Sequence, residues 1–134
     1  MLLTLYNTVG FGMPFPSLWP GLLTFAESML LYVPVVFVME EVFFRGALDS
    51  YLHRPGEPVD GCSAVGLSIL WALWHLPVMS THTGIVRTII LALPLQVLIG
   101  VPLSLWWRRS GNLAVPGLAH AFNDAVRQTL LYGH

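Results

Sequence analysis

The sequence is poor in charged residues. It contains six Lys or Arg and seven Asp or Glu among 134 residues, so charged residues make up only 10% of the chain. Soluble domains usually carry about 25% charged residues, which they need to cover a surface that faces water on all sides. Hydrophobic residues make up 55%, and the mean hydropathy is +0.70. The composition argues against a soluble domain and predicts a polytopic helical membrane protein.

The sequence also has a single cysteine and no net positive charge. Because Cys62 is the only cysteine, the chain forms neither an intrachain disulfide nor a CxxC metal site. The formal net charge is −1 and there is no basic patch, so nucleic-acid binding has no electrostatic basis. No Lys or Arg precedes the first apolar residues, and we therefore expect no signal peptide.

Several apolar runs approach or exceed the roughly 20 residues that cross a bilayer core. The sequence therefore predicts an all-α fold: a polytopic transmembrane helical bundle with four long helices, forming a single intramembrane core domain over 1–134. Pro34 is expected to kink the first helix, because proline removes a backbone hydrogen bond. The predicted segments are a short apolar, interfacial or partly helical N-terminal piece over 1–20 and transmembrane helices over 21–53, 62–79, 85–107 and 113–131.

The distribution of arginine predicts an orientation in the membrane. Arg54, Arg108 and Arg109 lie in or beside the loops 53–61 and 108–112, whose charges we expect at the membrane interface. The opposite side has fewer basic residues. By the positive-inside rule, these two loops face the cytoplasm.

Three of the rare charged residues lie within six positions, at the end of a long apolar run. Ionised groups in a membrane segment are costly unless they are paired or hydrated, and they indicate function by default. Glu41 and Arg45 are four residues apart on one helix face, which suits an ion pair. Glu40 points about 100° away from Glu41 on an α-helix. A carboxylate in this apolar setting is a usable general base, so Glu40 is a candidate catalytic residue.

Two later helices carry histidines at a matching depth. Trp71 and His75 are four residues apart on the second helix, and His120 and Asp124 are four apart on the fourth. At 1.5 Å per residue from the cytoplasmic helix ends, Glu41, His75 and His120 lie about 18, 20 and 16 Å deep. A lone histidine on an apolar helix is usually a core residue, but this common depth favours a shared polar site.

Such a site suits two kinds of chemistry. In the first, Glu40 and His75 activate a water molecule that attacks a peptide carbonyl. His120, with Asn123 or Asp124, then stabilises the oxyanion. In the second, Glu40, His75 and His120 bind a zinc ion that keeps an open position for water. The H-E-x-x-H and G-x-S-x-G motifs are absent and no cysteine lies near these residues, so we expect no covalent nucleophile.

Three motifs occur in order along the chain: E-E-x-x-x-R at 40–45, W-x-x-x-H at 71–75 and H-x-x-x-D at 120–124. They resemble the CAAX protease and bacteriocin-processing family of intramembrane proteases. That family has E-E-x-x-x-R, F-x-x-x-H and H-x-x-x-N or H-x-x-x-D on successive transmembrane helices. The stretch from Arg109 to Pro116 also looks like the family's lead-in to its last motif. The resemblance covers about residues 25–132 and implies a compact member in a bacterial or archaeal cytoplasmic membrane.

The resemblance implies roles for individual residues. Glu40 and His75 activate the water, and His120 with Asp124 binds the oxyanion. Trp71 stands where the family usually has Phe, and Asp124 stands where Asn is commoner. Because an ionised carboxylate would repel an oxyanion, Asp124 either is protonated, orients His120 or leaves this role to the neighbouring asparagine. The full set of predicted site residues is Glu40, Glu41, Arg45, His75, His120, Asn123 and Asp124.

The family has been described both as metal-dependent and as glutamic-type. We expect no cofactor, because no third His or Cys stands at a ligand spacing; zinc bound by Glu40, His75 and His120 is the alternative. The expected partners are the lipid bilayer and a protein or peptide substrate in or at the membrane, either membrane-associated or C-terminally tagged. A prenylated substrate is not implied by the motifs. Two other classes stay open: a non-enzymatic immunity or scaffold protein with a polar core, and a small proton or ion relay.

Overall fold

The computed structural model describes residues 14–53 and 61–134, and none of these residues lies in a β-strand. Helix α1 is the continuous run Leu18–Leu52, α2 is Gly61–Thr83, α3 is Ile85–Ser110 and α4 is Ala114–Tyr132. The predicted all-α class is confirmed.

The helices begin and end within a few residues of the predicted positions. Helix α1 begins three residues early because Pro20 lies in its first turn, where a missing N–H costs no helical hydrogen bond. Helix α3 extends to Ser110 and ends at Gly111, which has a φ of 63°. Glycine adopts this left-handed conformation without strain. Residues 1–13 of the predicted N-terminal segment lie outside the described residues.

Three of the helices are long and apolar enough to cross a membrane, by length and composition. They are Leu18–Leu52, Gly61–His82 and Ile85–Ser110. Many large apolar side chains on them are exposed, as expected for surfaces that face lipid. Among the described residues, α4 is not one of these spans, and the membrane crossing predicted for it stays a prediction.

Helix α1 changes its hydrogen-bonding register along its length. Pro34 lacks the N–H that an α-helical bond needs, and the register changes three residues later. π-helices are rare and mostly limited to single turns, often at functional sites. Here the π-helix contains Glu40, Glu41 and Arg45. The three parts of α1 are α-helical Leu18–Val36, π-helical Phe37–Leu48 and α-helical Asp49–Leu52.

The described residues form two compact units, and the prediction of a single domain stays a prediction. The first unit comprises residues 14–39 and 117–134. Within it, the rings of Phe25 and Phe122 meet edge to face, with centroids 5.6 Å apart. The hydroxyl of Tyr32 donates to Gln128 Oε1 at 3.5 Å. These contacts pack the first half of α1 against α4.

The second unit is Glu40–Pro116, in which α2 packs closely against α3. Its buried apolar core contains Phe44, Leu67 and Trp71. A Cβ atom at Gly100 would lie 2.9 Å from Ser68 and 3.1 Å from Cε3 of Trp71. Glycine at this position therefore lets α3 approach α2 closely, and the Trp71 indole is tightly packed against the backbone of α3.

Candidate active site

Glu40 lies in the π-helical part of α1, and its carboxylate meets two side chains of α2. Its Oε2 accepts a hydrogen bond of 2.7 Å from Nε1 of Trp71. The same oxygen lies 3.5 Å from Nε2 of His75. The Glu40 and His75 side chains are 12% and 21% exposed, respectively. The second unit thus brings two predicted site residues together where a small molecule can reach them.

The imidazole of His75 is oriented by its own helix. Nδ1 lies 3.0 Å from the main-chain oxygen of Trp71. A carbonyl oxygen only accepts hydrogen bonds, so this bond requires the proton on Nδ1. In the neutral ring, Nε2 is then an acceptor that faces Glu40. The Trp71 indole, four residues earlier on the same helix, lies beside the imidazole with the rings edge to face and their centroids 4.9 Å apart.

The predicted ion pair between Glu41 and Arg45 is confirmed. Nη1 of Arg45 donates to Oε1 of Glu41 at 3.0 Å, and both side chains are fully buried. The Cζ atom of Arg45 also lies 4.8 Å from the centroid of the Trp71 ring, within the range of a cation–π interaction. In the described part of the chain, Nε and Nη2 of Arg45 have no hydrogen-bond partner. Trp71 therefore contacts both the guanidinium of this pair and the imidazole of His75.

The sequence analysis missed a second buried ion pair. Nε of Arg108 donates to both carboxylate oxygens of Asp49 at 3.1 Å, and Nη2 donates to Asp49 as well. Nη1 of Arg108 donates to the hydroxyl of Ser63 at 2.9 Å. These three residues belong to α3, α1 and α2, so the pair ties three helices together.

The expectation that Arg108 lies at the membrane interface stays a prediction, but within the protein Arg108 is not an isolated charge. Its guanidinium is fully buried because the Asp49 carboxylate, 59 residues away in the sequence, neutralises it. One signal could have revealed this pair. Asp49 is a charged residue in a long apolar helix, four positions after Arg45, and such a residue needs a partner.

The third motif lies in the first unit. Nε2 of His120 is 3.7 Å from Oδ2 of Asp124. The amide of Asn123 donates to Oδ1 of Asp124 at 3.4 Å, and Nε of Arg127 lies 3.8 Å from that oxygen. Asp124 thus lies close to the side chains of His120, Asn123 and Arg127. Sequence reasoning did not assign Arg127 to the site. The convergence of His120 with Glu40 and His75 stays a prediction.

The zinc alternative depends on that convergence. Within each unit, the described His, Cys, Asp and Glu side chains form no group of three that could hold a metal ion. Glu40 and His75 would supply two ligands, whereas catalytic zinc usually has three from the protein. His120 is the predicted third ligand, so zinc binding also stays a prediction.

Comparison with known proteins agrees with the motifs. The family model described as type II CAAX prenyl endopeptidase, Rce1-like, matches residues 22–126, which is most of the chain and includes all three motifs. No curated protein and no solved structure matches. Enzymes of this family are proteases that act on protein substrates at the membrane. With its three helices of spanning length, the chain is an integral membrane protein. The predicted membership is confirmed, and the chain belongs to the type II CAAX prenyl endopeptidase Rce1-like family.

Proposed function

We propose that the protein hydrolyses a peptide bond of a membrane-associated or C-terminally tagged protein with a water molecule activated by Glu40 and His75. The observation that carries this proposal is the 3.5 Å distance between Oε2 of Glu40 and Nε2 of His75. Both atoms are acceptors when the imidazole is neutral with its proton on Nδ1. A water molecule beside them can therefore donate one O–H group to each.

The proposed reaction proceeds by general base catalysis. Glu40 removes a proton from the water while His75 holds the second hydrogen, and the water oxygen attacks the carbonyl carbon of the peptide bond. The carbonyl oxygen becomes an oxyanion in the tetrahedral intermediate. When the C–N bond breaks, the proton held by Glu40 passes to the leaving amine. No covalent enzyme intermediate is required.

His120 is proposed to stabilise the oxyanion, with Asp124 acting on His120 rather than on the substrate. This assignment is supported by the 3.7 Å distance between His120 and Asp124 and by the donors that surround the carboxylate. The Asp124 carboxylate can orient the imidazole through one ring nitrogen, which leaves the other ring nitrogen to donate to an oxyanion. This role requires that a ring nitrogen of His120 reach the carbonyl oxygen of the bond that is cleaved.

The test is a cleavage assay with the full chain in proteoliposomes. The probe is an internally quenched peptide that carries a farnesylated CAAX sequence, compared with the same peptide held at the membrane by a transmembrane segment. We expect Glu40→Gln, His75→Ala and His120→Ala each to lower kcat at least about 100-fold, as for the loss of a general base or an oxyanion donor. Glu27→Gln is the matched control, because Glu27 is an exposed carboxylate on the same helix.

The same assay separates the competing mechanisms and classes. Full activity of Glu40→Gln would contradict the proposal. Inhibition by 1,10-phenanthroline that added zinc reverses would favour the zinc mechanism with Glu40, His75 and His120 as ligands. If the wild type cleaves neither peptide and the variants lose folded protein, a scaffold role is favoured. A proton flux across the liposome membrane that requires Glu40 would favour a relay.

A further inference from the structure

Trp71 contacts three polar residues of the first two motifs: Glu40, Arg45 and His75. Its Nε1 donates to Glu40 at 2.7 Å, and its carbonyl oxygen lies 3.0 Å from Nδ1 of His75. Its ring lies 4.8 Å from the guanidinium carbon of Arg45. The side chain itself is only 1% exposed. One residue therefore holds the carboxylate through its side chain and the imidazole through its main chain.

We propose that Trp71 is a positioning residue, whose indole N–H fixes the orientation of the Glu40 carboxylate relative to His75. The inference rests on the proposed function, because it assigns Trp71 a part in activating the same water. A carboxylate turns readily about its terminal torsion, which is broad. The indole hydrogen bond holds Oε2 at the position from which it faces Nε2 of His75.

The surroundings of the indole make its N–H a fixed donor. Trp71 packs with Phe44 and Leu67 in the buried core of the second unit. Gly100 of α3 lies so close that an added Cβ would come within 3.1 Å of the indole. Close-packed side chains hold a single rotamer, so the N–H direction is set by the helix packing and not by Glu40.

The nature of residue 71 separates a packing role from a positioning role. The family motif usually has phenylalanine here, which fills most of the same space and still offers a ring to His75 and Arg45. Phenylalanine has no N–H, so it cannot hold the carboxylate. Substitution with phenylalanine therefore removes the hydrogen bond and leaves most of the packing in place.

The first experiment measures cleavage kinetics of Trp71→Phe in proteoliposomes with the farnesylated quenched peptide. We expect kcat to fall about tenfold with KM unchanged, the order expected for losing a hydrogen bond to a charged acceptor. Trp106→Phe is the matched control, because Trp106 is a 44% exposed indole on α3. If Trp71→Phe folds poorly, 3-benzothienylalanine at position 71 keeps the shape of the indole and removes only its donor.

The second experiment observes the hydrogen bond without any substrate. In protein with ¹⁵N-labelled tryptophan, the indole N–H signal of Trp71 is expected to shift in Glu40→Gln and to stay in place in Glu27→Gln. A signal that does not respond to Glu40→Gln would overturn the inference. Wild-type kcat in Trp71→Phe alongside an inactive Glu40→Gln would overturn it as well and leave the proposed function intact. Full activity in Glu40→Gln would overturn both.

Discussion

The second unit contains two buried arginine–carboxylate pairs that differ in how the chain builds them. Glu41 and Arg45 are four residues apart on one helix. Asp49 and Arg108 are 59 residues apart and, with Ser63, involve three helices. The first pair follows from local spacing, whereas the second exists only once the helices have packed. The buried arginine beside the candidate active site is therefore neutralised by a residue of its own helix. The buried arginine near the helix ends is neutralised by a residue of another helix.

The two pairs also differ in how many hydrogen-bond donors of the arginine guanidinium have a partner. Arg108 donates to both carboxylate oxygens and to a hydroxyl, an arrangement typical of strong bidentate pairs. Arg45 has one hydrogen bond to Glu41 and the face of Trp71. We therefore expect the Asp49–Arg108 pair to matter most for stability and the Glu41–Arg45 pair to matter more for activity.

The largest effect is expected for Asp49→Ala. It leaves the Arg108 guanidinium buried without its carboxylate, which costs about 3–5 kcal/mol when a buried pair loses one partner. Thermal unfolding in detergent, followed by circular dichroism, measures the loss. Glu27→Ala removes an exposed carboxylate from the same helix and should leave the midpoint unchanged.

A paired substitution sharpens this prediction. Asp49→Leu combined with Arg108→Met removes both charges and keeps apolar bulk, and we expect it to recover most of the lost stability. Equal midpoints for Asp49→Ala and Glu27→Ala would show that the buried pair contributes nothing to folding.

A smaller loss of stability is expected for Glu41→Ala, about 3 kcal/mol, the lower end of the range for a buried pair that loses one partner, because the cation–π contact of Arg45 with Trp71 remains. Activity should fall further than stability explains, since Arg45 rests on the indole that holds Glu40. The measurement is kcat at a temperature where the variant is still fully folded. A kcat equal to that of the wild type under these conditions would place the pair outside the catalytic machinery.

The smallest effect on stability is expected for Gly100→Ala, which leaves both ion pairs in place. The added methyl group overpacks Ser68 and Trp71, and overpacking of this kind costs about 1–3 kcal/mol. Displacement of the indole should also lower kcat. Gly66→Ala on α2 is the matched control, because no atom lies within 4 Å of an added Cβ there. Equal stability and equal kcat of the two variants would contradict the close packing of Trp71 against Gly100.

The sequence predicted those features that depend on composition and on local spacing. The all-α class follows from apolar runs of spanning length, and the Glu41–Arg45 pair follows from a spacing of four. The partner of Arg108 was not predictable in this way, because no periodicity links α1 to α3. The sequence analysis noted only that Trp71 lies four residues before His75 and stands where the family usually has phenylalanine. Its hydrogen bond to Glu40 depends on the approach of α2 to α1, which spacing within one helix does not describe.

The π-helical segment of α1 bears on how this helix fits a bilayer. As a uniform α-helix, its 35 residues would span about 52 Å, well beyond a hydrocarbon core of about 30 Å. Bonding from i to i+5 places more residues in each turn, so Phe37–Leu48 rises less per residue than an α-helix. The segment that carries the candidate catalytic carboxylate therefore also shortens the helix, and this reduces the hydrophobic mismatch that tilt alone would otherwise have to absorb.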